Sequence, residues 1–241
     1  MIRQRKCYLK TNYNNDAEFS LHIGRRLTQI DRKPFAHDTM RATYGGKGGR
    51  ITMVKLTKTK DEIIRKANEL GIEYEAKYKG CGQCTFLAII DALRWGGLEI
   101  ISKDMEDKFF SGICVLTAGV GLTGDGTCGA VASSALAIGL ALGIPREGQD
   151  VETLGAACAT VRNTIVDRYY REYRSILCKD VQRKFFGKAW DLTNKEMDKE
   201  FRGLTRGCTI MQTAKWTVEI ILDEFEKGNV KGYVGSAKAK G

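Results

Sequence analysis

Apolar residues recur every three to four positions along most of the chain beyond residue 53, which is the spacing of one face of a helix. The first such segment carries Ile63, Ala67 and Leu70 and follows Thr59, with Glu62 three residues after it. A Thr followed three residues later by Glu is a capping box, which is typical of a helix start. We therefore predict that a helical domain begins shortly after residue 53.

Later segments repeat this pattern and are separated by glycine-containing breaks. Gly96, Gly143 and Gly187 each follow an apolar-periodic segment, where glycine commonly ends a helix. Further helices are predicted at about 85–95, 104–118, 128–142, 151–175, 178–186, from Thr193 onward, and 209–226. The pattern predicts an all-α fold, a bundle of about six to eight helices with short connections.

Net charge divides the chain into unequal parts. Of the formal charge of +10, residues 1–52 contribute +7, with 11 Lys and Arg against 4 Asp and Glu, and they show no helical or strand period. We predict a poorly structured basic extension at 1–52, a cysteine-containing helical redox domain at 53–228, and a flexible tail at 229–241. Two interpretations of the extension stay open: an arm that could touch nucleic acid, or residues upstream of a true start at Met53.

Several functional classes are excluded by what the main body lacks. Both histidines, His22 and His37, lie in the extension, so residues 53–241 hold no Ser–His–Asp triad, no Cys–His pair, and no histidine ligand for zinc or haem. No run of ~18 strongly apolar residues predicts a membrane span. The first residues also lack the apolar core of a signal peptide, so we expect a cytoplasmic protein.

The candidate chemistry is that of cysteine. In a reducing compartment, thiols serve more often as metal ligands or redox groups than as structural disulfides. Of the 8 cysteines, four lie at predicted helix starts: Cys81, Cys128, Cys178 and Cys208. Unpaired backbone N–H groups at a helix N-terminus stabilise a thiolate. If the four starts converge, they suit an anionic metal–thiolate cluster.

The other cysteines allow plainer interpretations. Cys114 and Cys158 lie within predicted helices and Cys7 lies in the extension, so we interpret them as small apolar residues. Cys84 forms a C-x-x-C with Cys81, and the i and i+3 positions of a first helical turn share one face. Cys84 is thus either a further metal ligand or the partner of Cys81 in a redox disulfide.

A glycine-rich run precedes Cys128. Residues 119–124 match G-x-G-x-x-G, but no second strand follows, as a dinucleotide-binding fold requires. We interpret the glycines as allowing the backbone to pack beside the Cys128 sulfur and to direct amides at it.

The four cysteine settings resemble a known family, the redox-active proteins named for a Cys, a CGAxxG motif and two further Cys, related to a domain of split-Soret cytochromes. The similarity covers about residues 78–226 and is carried by Cys81-Gly82-Gln83-Cys84, by Gly119 to Cys128-Gly129-Ala130, by Ile176-Leu177-Cys178-Lys179-Asp180, and by Cys208 before the last helix. This sequence departs from the pattern at Ser133, where the motif has its second Gly, and at the additional Cys84.

The resemblance implies a four-cysteine redox or metal site, with an iron–sulfur cluster of unspecified type held by Cys81, Cys128, Cys178 and Cys208. It also implies electron transfer to a partner protein, and it implies no substrate. Two alternatives stay open: a metal-free thiol–disulfide oxidoreductase using Cys81 and Cys84, and a structural zinc site in a binding module. A homodimer could share the ligands between two chains, and nucleic acid is expected as a partner only through the basic arm.

Overall fold

The computed structural model describes residues 40–42, 53–204 and 209–234. These all fall in the unit Asp38–Gly241, whereas the unit Met1–His37 lies outside the described residues. Cys7, Cys208 and all of the predicted extension except 40–42 therefore lie outside them too. Within the described part the fold is all-α, as predicted, apart from two short antiparallel strands, β1 (Met40–Ala42) and β2 (Met53–Lys55).

The helices follow one another with short connections. They are α1 (Lys60–Tyr78), α2 (Cys81–Trp95), α3 (Glu106–Cys114), α4 (Gly129–Leu142), α5 (Val151–Val161), α6 (Asp167–Tyr173), α7 (Cys178–Phe186), α8 (Lys195–Leu204) and α9 (Ile210–Glu226). A π-helical turn, Arg162–Val166, joins α5 to α6 without a break, as the predicted long helix required. With α5 and α6 counted as one, the described residues form eight such helices, which agrees with the predicted six to eight.

The start of α1 is set by the predicted capping box. The Thr59 hydroxyl accepts a hydrogen bond from the Glu62 amide, and the Glu62 carboxylate accepts one from the Thr59 amide at 2.8 Å. Two otherwise unpaired amides are thereby satisfied, which stabilises a helix by about 0.5–2 kcal/mol. The helix ends at Lys79, which adopts the left-handed conformation.

Helix α2 is the centre of the bundle and packs against α1, α4 and α9. Because it is enclosed on several sides, its side chains are apolar around most of its circumference, and Phe86, Ile89 and Leu93 are fully buried. Each such side chain contributes about 1.5–3 kcal/mol of transfer free energy relative to an exposed one. The packing of α2 against its neighbours therefore fixes the position of its N-terminus, which carries Cys81.

Residues 229–234 are ordered against the bundle, so the prediction of a flexible tail from residue 229 is wrong for this stretch. Val230 and Tyr233 are buried, and the amides of Lys231 and Gly232 donate to the Ala141 carbonyl at the end of α4. Because the residues around them are rich in Lys and Gly, the sequence gives no signal that Val230 and Tyr233 are buried. None of the helices within 53–204 and 209–234 is both long and apolar enough to cross a membrane.

Candidate functional site

Three of the four predicted cysteines lie at helix starts and line one cavity. Cys81 is the first residue of α2, Cys128 is the N-cap of α4, and Cys178 is the first residue of α7. All three line a cavity of about 800 Å³. Cys208 lies outside the described residues, but the next residue, Thr209, lines the same cavity. Three helix starts that are distant in sequence thus meet at one cavity.

A short backbone pairing brings Cys128 and Cys178 together. Thr127 and Leu177, the residues just before them, form an isolated antiparallel bridge. The Cys128 amide donates to the Ile176 carbonyl at 2.7 Å, and the Cys178 amide donates to the Gly126 carbonyl at 3.0 Å. These bonds lock the loop before α4 to the loop before α7, so both sulfurs face one cavity.

The missing side chain of Gly129 allows Cys81 to approach Cys128. A Cβ atom at Gly129 would lie 2.8 Å from the Cys81 sulfur and 3.1 Å from the Gly82 amide nitrogen. The first distance is shorter than Cβ contacts in proteins and the second is unusually tight, so a side chain would fit only if Cys81 and the start of α2 shifted. Glycine directly after Cys128 is therefore what lets the starts of α2 and α4 meet.

Ser133, where the motif has glycine, preserves the close packing of α2 and α4. Its side chain is fully buried, and its hydroxyl donates to the Gly82 carbonyl at 2.6 Å. The small hydroxymethyl group fits between the helices and adds a hydrogen bond. The departure from the motif therefore does not remove the contact.

Hydrogen-bond donors surround the sulfurs. The Ala130 and Val131 amides, in the first turn of α4, donate to the Cys128 sulfur. The Ala118 amide donates to the Cys81 sulfur, and the Gln182 side chain donates to the Cys178 sulfur at 3.3 Å. Donors of this kind stabilise negative charge on sulfur.

The Ala118 amide comes from a turn with unusual backbone geometry. Residues 118–122 all have positive φ, including the non-glycine residues Ala118, Val120 and Leu122. Each non-glycine residue in this conformation costs about 1–2 kcal/mol, so the surrounding packing must offset it. The predicted helix at 104–118 therefore ends early, at Cys114. The loop directs an amide at Cys81, not at Cys128 as its position in the sequence indicated.

The three thiols that line the cavity differ in pKa. A hydrogen bond from the Cys81 thiol, together with the amides of α4, lowers the pKa of Cys128 to about 6. The same hydrogen bond and burial raise the pKa of Cys81, and burial raises the pKa of Cys178 to about 12. In the metal-free protein near neutral pH, the negative charge therefore resides on Cys128 while its two neighbours keep their protons.

The difference in pKa between these thiols predicts the pH dependence of their alkylation in the reduced, metal-free protein. Only the thiolate form reacts, so the alkylation rate of Cys128 should be low below pH 6, where its thiol is protonated, and should reach its full value above pH 6. The alkylation rate of Cys178 should stay low at neutral pH, because its thiol keeps its proton there. Iodoacetamide labelling followed by peptide mass spectrometry measures both profiles. Cys81→Ala removes the main donor and should shift the Cys128 profile to higher pH. An unshifted profile would contradict the assigned hydrogen bond.

Cys84 does not join the other three cysteines. Its buried thiol donates to the Tyr74 carbonyl of α1 at 3.2 Å, and burial raises its pKa to about 11. It is absent from the described residues that line the cavity. The two sulfurs of the C-x-x-C therefore do not line the cavity together, because α1 packs against α2 and its Tyr74 carbonyl accepts the Cys84 hydrogen bond. Cys158 is exposed on α5 and Cys114 is half-buried at the end of α3.

Two contacts of the Cys128 sulfur were not predicted from the sequence. The Thr209 hydroxyl lies 3.8 Å from it, and the Tyr169 hydroxyl lies 4.0 Å from it and 2.6 Å from the Thr213 hydroxyl. Tyr169 is fully buried. Gln182 could have been found, since it stands four residues after Cys178, one helical turn away.

Comparison with known proteins assigns the family. The family model "Putative redox-active protein (C_GCAxxG_C_C)" matches residues 80–220. The chain belongs to this family, as the cysteine pattern predicted. Neither the curated proteins nor the solved structures give a significant match. Within 53–204 and 209–234, no group of three or more His, Cys, Asp or Glu side chains is arranged so that it could hold a metal ion.

Proposed function

We propose that this protein carries electrons through an iron–sulfur cluster held by Cys81, Cys128, Cys178 and Cys208, and exchanges them with a partner protein. The observation that supports this most is the meeting of three thiols, from three separate helix starts, in one cavity. We include Cys208 as the fourth ligand because it directly precedes Thr209, which lines the cavity.

The chemistry of the donor set fits such a cluster. Four thiolates without histidine are suited to iron–sulfur centres and to zinc. Zinc has no redox chemistry, so membership in a redox-active family favours iron. When bound, the cluster would supply one-electron transfer. Metal content is therefore the deciding measurement.

The chain's own residues have defined tasks in this proposal. The amides of Ala118, Ala130 and Val131 and the side chain of Gln182 donate to the sulfurs and stabilise their negative charge. Hydrogen bonds to sulfur and low solvent exposure are known to tune cluster potentials. Gly129 keeps the space between α2 and α4 open for the Cys81 sulfur.

A second candidate is a metal-free dithiol at Cys81 and Cys128. The hydrogen bond between these thiols and the lowered pKa of Cys128 support it. The Cys128 thiolate would attack a disulfide substrate and release one thiol, and Cys81 would then displace the second thiol and close a Cys81–Cys128 disulfide, losing its proton. The original pair, Cys81 with Cys84, lacks this support because the Cys84 thiol faces α1.

The test is anaerobic purification of the full chain, followed by measurement of iron, acid-labile sulfide and zinc and by a visible spectrum. We expect a coloured protein with iron and sulfide in similar amounts, bleached reversibly by dithionite. A colourless protein that stays iron-free after reconstitution would contradict the cluster. In that case, disulfide exchange that survives Cys84→Ser and is lost in Cys81→Ser would support the dithiol, and stoichiometric zinc would support the structural site.

A further inference from the structure

The cavity extends well beyond the sulfurs. Its volume of about 800 Å³ lies within the ~300–1,000 Å³ that is typical of sites for organic ligands. Apolar side chains from four helices and two loops form most of its walls: Ile72, Leu122, Val181, Leu192, Phe201 and Ile210. Sites that bind organic molecules have this composition, a largely apolar lining with a few polar groups at one end.

The charged residues of the lining balance one another. Glu75 and Lys79 carry opposite charges about one turn apart at the end of α1. Arg202 donates to the Asp198 carboxylate at 2.7 Å and to the Lys79 carbonyl at 3.1 Å, so its charge is already paired. The charged side chains of the lining therefore balance, and the sulfurs add only negative charge, which disfavours an anionic ligand.

From this volume, lining and charge balance, we propose that the cavity binds a neutral, largely apolar organic molecule of two or three rings, with one end against the cysteine sulfurs. This goes beyond the proposed function, because the walls that carry the inference are not the cysteines. The molecule would contact whatever centre the thiols form, cluster or dithiol.

A pair of dyes that differ in one charged group tests this proposal. N-phenyl-1-naphthylamine is neutral, and 1-anilinonaphthalene-8-sulfonate is the same ring system with a sulfonate. Equilibrium dialysis against the full chain should give one bound naphthylamine per chain, with an affinity at least about tenfold higher than that of the sulfonate. No saturable binding, or equal affinity for the two dyes, would overturn the proposal.

Two tryptophan variants locate the binding. Ala76 is exposed and lines the cavity, so the larger side chain of Ala76→Trp should obstruct the cavity without disturbing the core. The naphthylamine affinity should fall at least about fivefold, because the dye loses roughly one apolar contact surface. Ala156→Trp, at an exposed position of α5 outside the lining, should leave the affinity unchanged. Equal affinities of the two variants would place the dye elsewhere and overturn the proposal. Circular dichroism melting curves verify that both variants fold.

The dialysis separates this inference from the proposed function, because it needs no iron. A colourless protein that binds the dye would contradict the cluster alone. A coloured protein that binds neither dye would contradict the cavity site alone.

Discussion

A Cys128→Ser chain purified anaerobically is expected to lose at least about tenfold in iron content relative to the unaltered protein. Removing a group that only supports a ligand typically costs 10–100-fold in metal affinity, and removing a ligand should cost no less. The Cys128 sulfur is buried, receives hydrogen bonds from Cys81 and from the amides of α4, and lies near the Thr209 and Tyr169 hydroxyls. Iron and sulfide per chain are the measured quantities.

Cys158→Ser is the matched control for this variant. It makes the same change on α5, where the thiol is exposed and outside the cavity lining, so iron content should not change. Cys84→Ser should behave in the same way, because its thiol faces Tyr74. Full iron retention in Cys128→Ser, or an equal loss in Cys158→Ser, would be incompatible with the assigned site.

Gly129→Ala should destabilise the fold and distort the site. The new Cβ would lie 2.8 Å from the Cys81 sulfur and 3.1 Å from both the Gly82 nitrogen and the Leu116 oxygen. Two of these neighbours are backbone atoms and cannot rotate away, so the start of α2 and the loop at Leu116 must each shift by a few tenths of an ångström relative to α4. Overpacking of this kind typically lowers the free energy of unfolding by about 1–3 kcal/mol. Urea unfolding of the reduced protein, followed by circular dichroism, measures this loss.

Gly139→Ala, a substitution in the same helix, should have the opposite effect on the stability of the fold. A Cβ at Gly139 would meet nothing within 4 Å. Alanine is the better helix former, so this variant should gain about 0.5–1 kcal/mol. The two substitutions should thus shift the urea midpoint in opposite directions. Similar midpoints for both would show that α2 and α4 do not approach each other as closely as described.

Much of the fold could be predicted from the sequence because its signals are local. The capping box of Thr59 and Glu62 marks the start of α1, and apolar spacing marks the later helices. The position of a cysteine at a helix start is local as well, which is why Cys81, Cys128 and Cys178 were identified. The family followed from the same residues.

The remaining features depend on contacts between distant segments. Nothing near Cys128 in the sequence reveals that Thr127 pairs with Leu177, although this bridge brings two of the sulfurs to one cavity. The direction of the Cys84 thiol is decided by α1, and the burial of Tyr169 by α9, where Thr213 accepts or donates its hydrogen bond. The extent of the apolar cavity is likewise a product of tertiary packing.

The meeting of Cys81 and Cys128 in one pocket is tested most directly with phenylarsine oxide, which binds two neighbouring thiols through a single arsenic atom. The reduced, metal-free full chain is treated with one equivalent, alkylated, and mapped by mass spectrometry. We expect Cys81 and Cys128 to be protected together, with the same result in Cys84→Ser. Unprotected Cys81 and Cys128, or protection of another pair of cysteines in their place, would contradict the site.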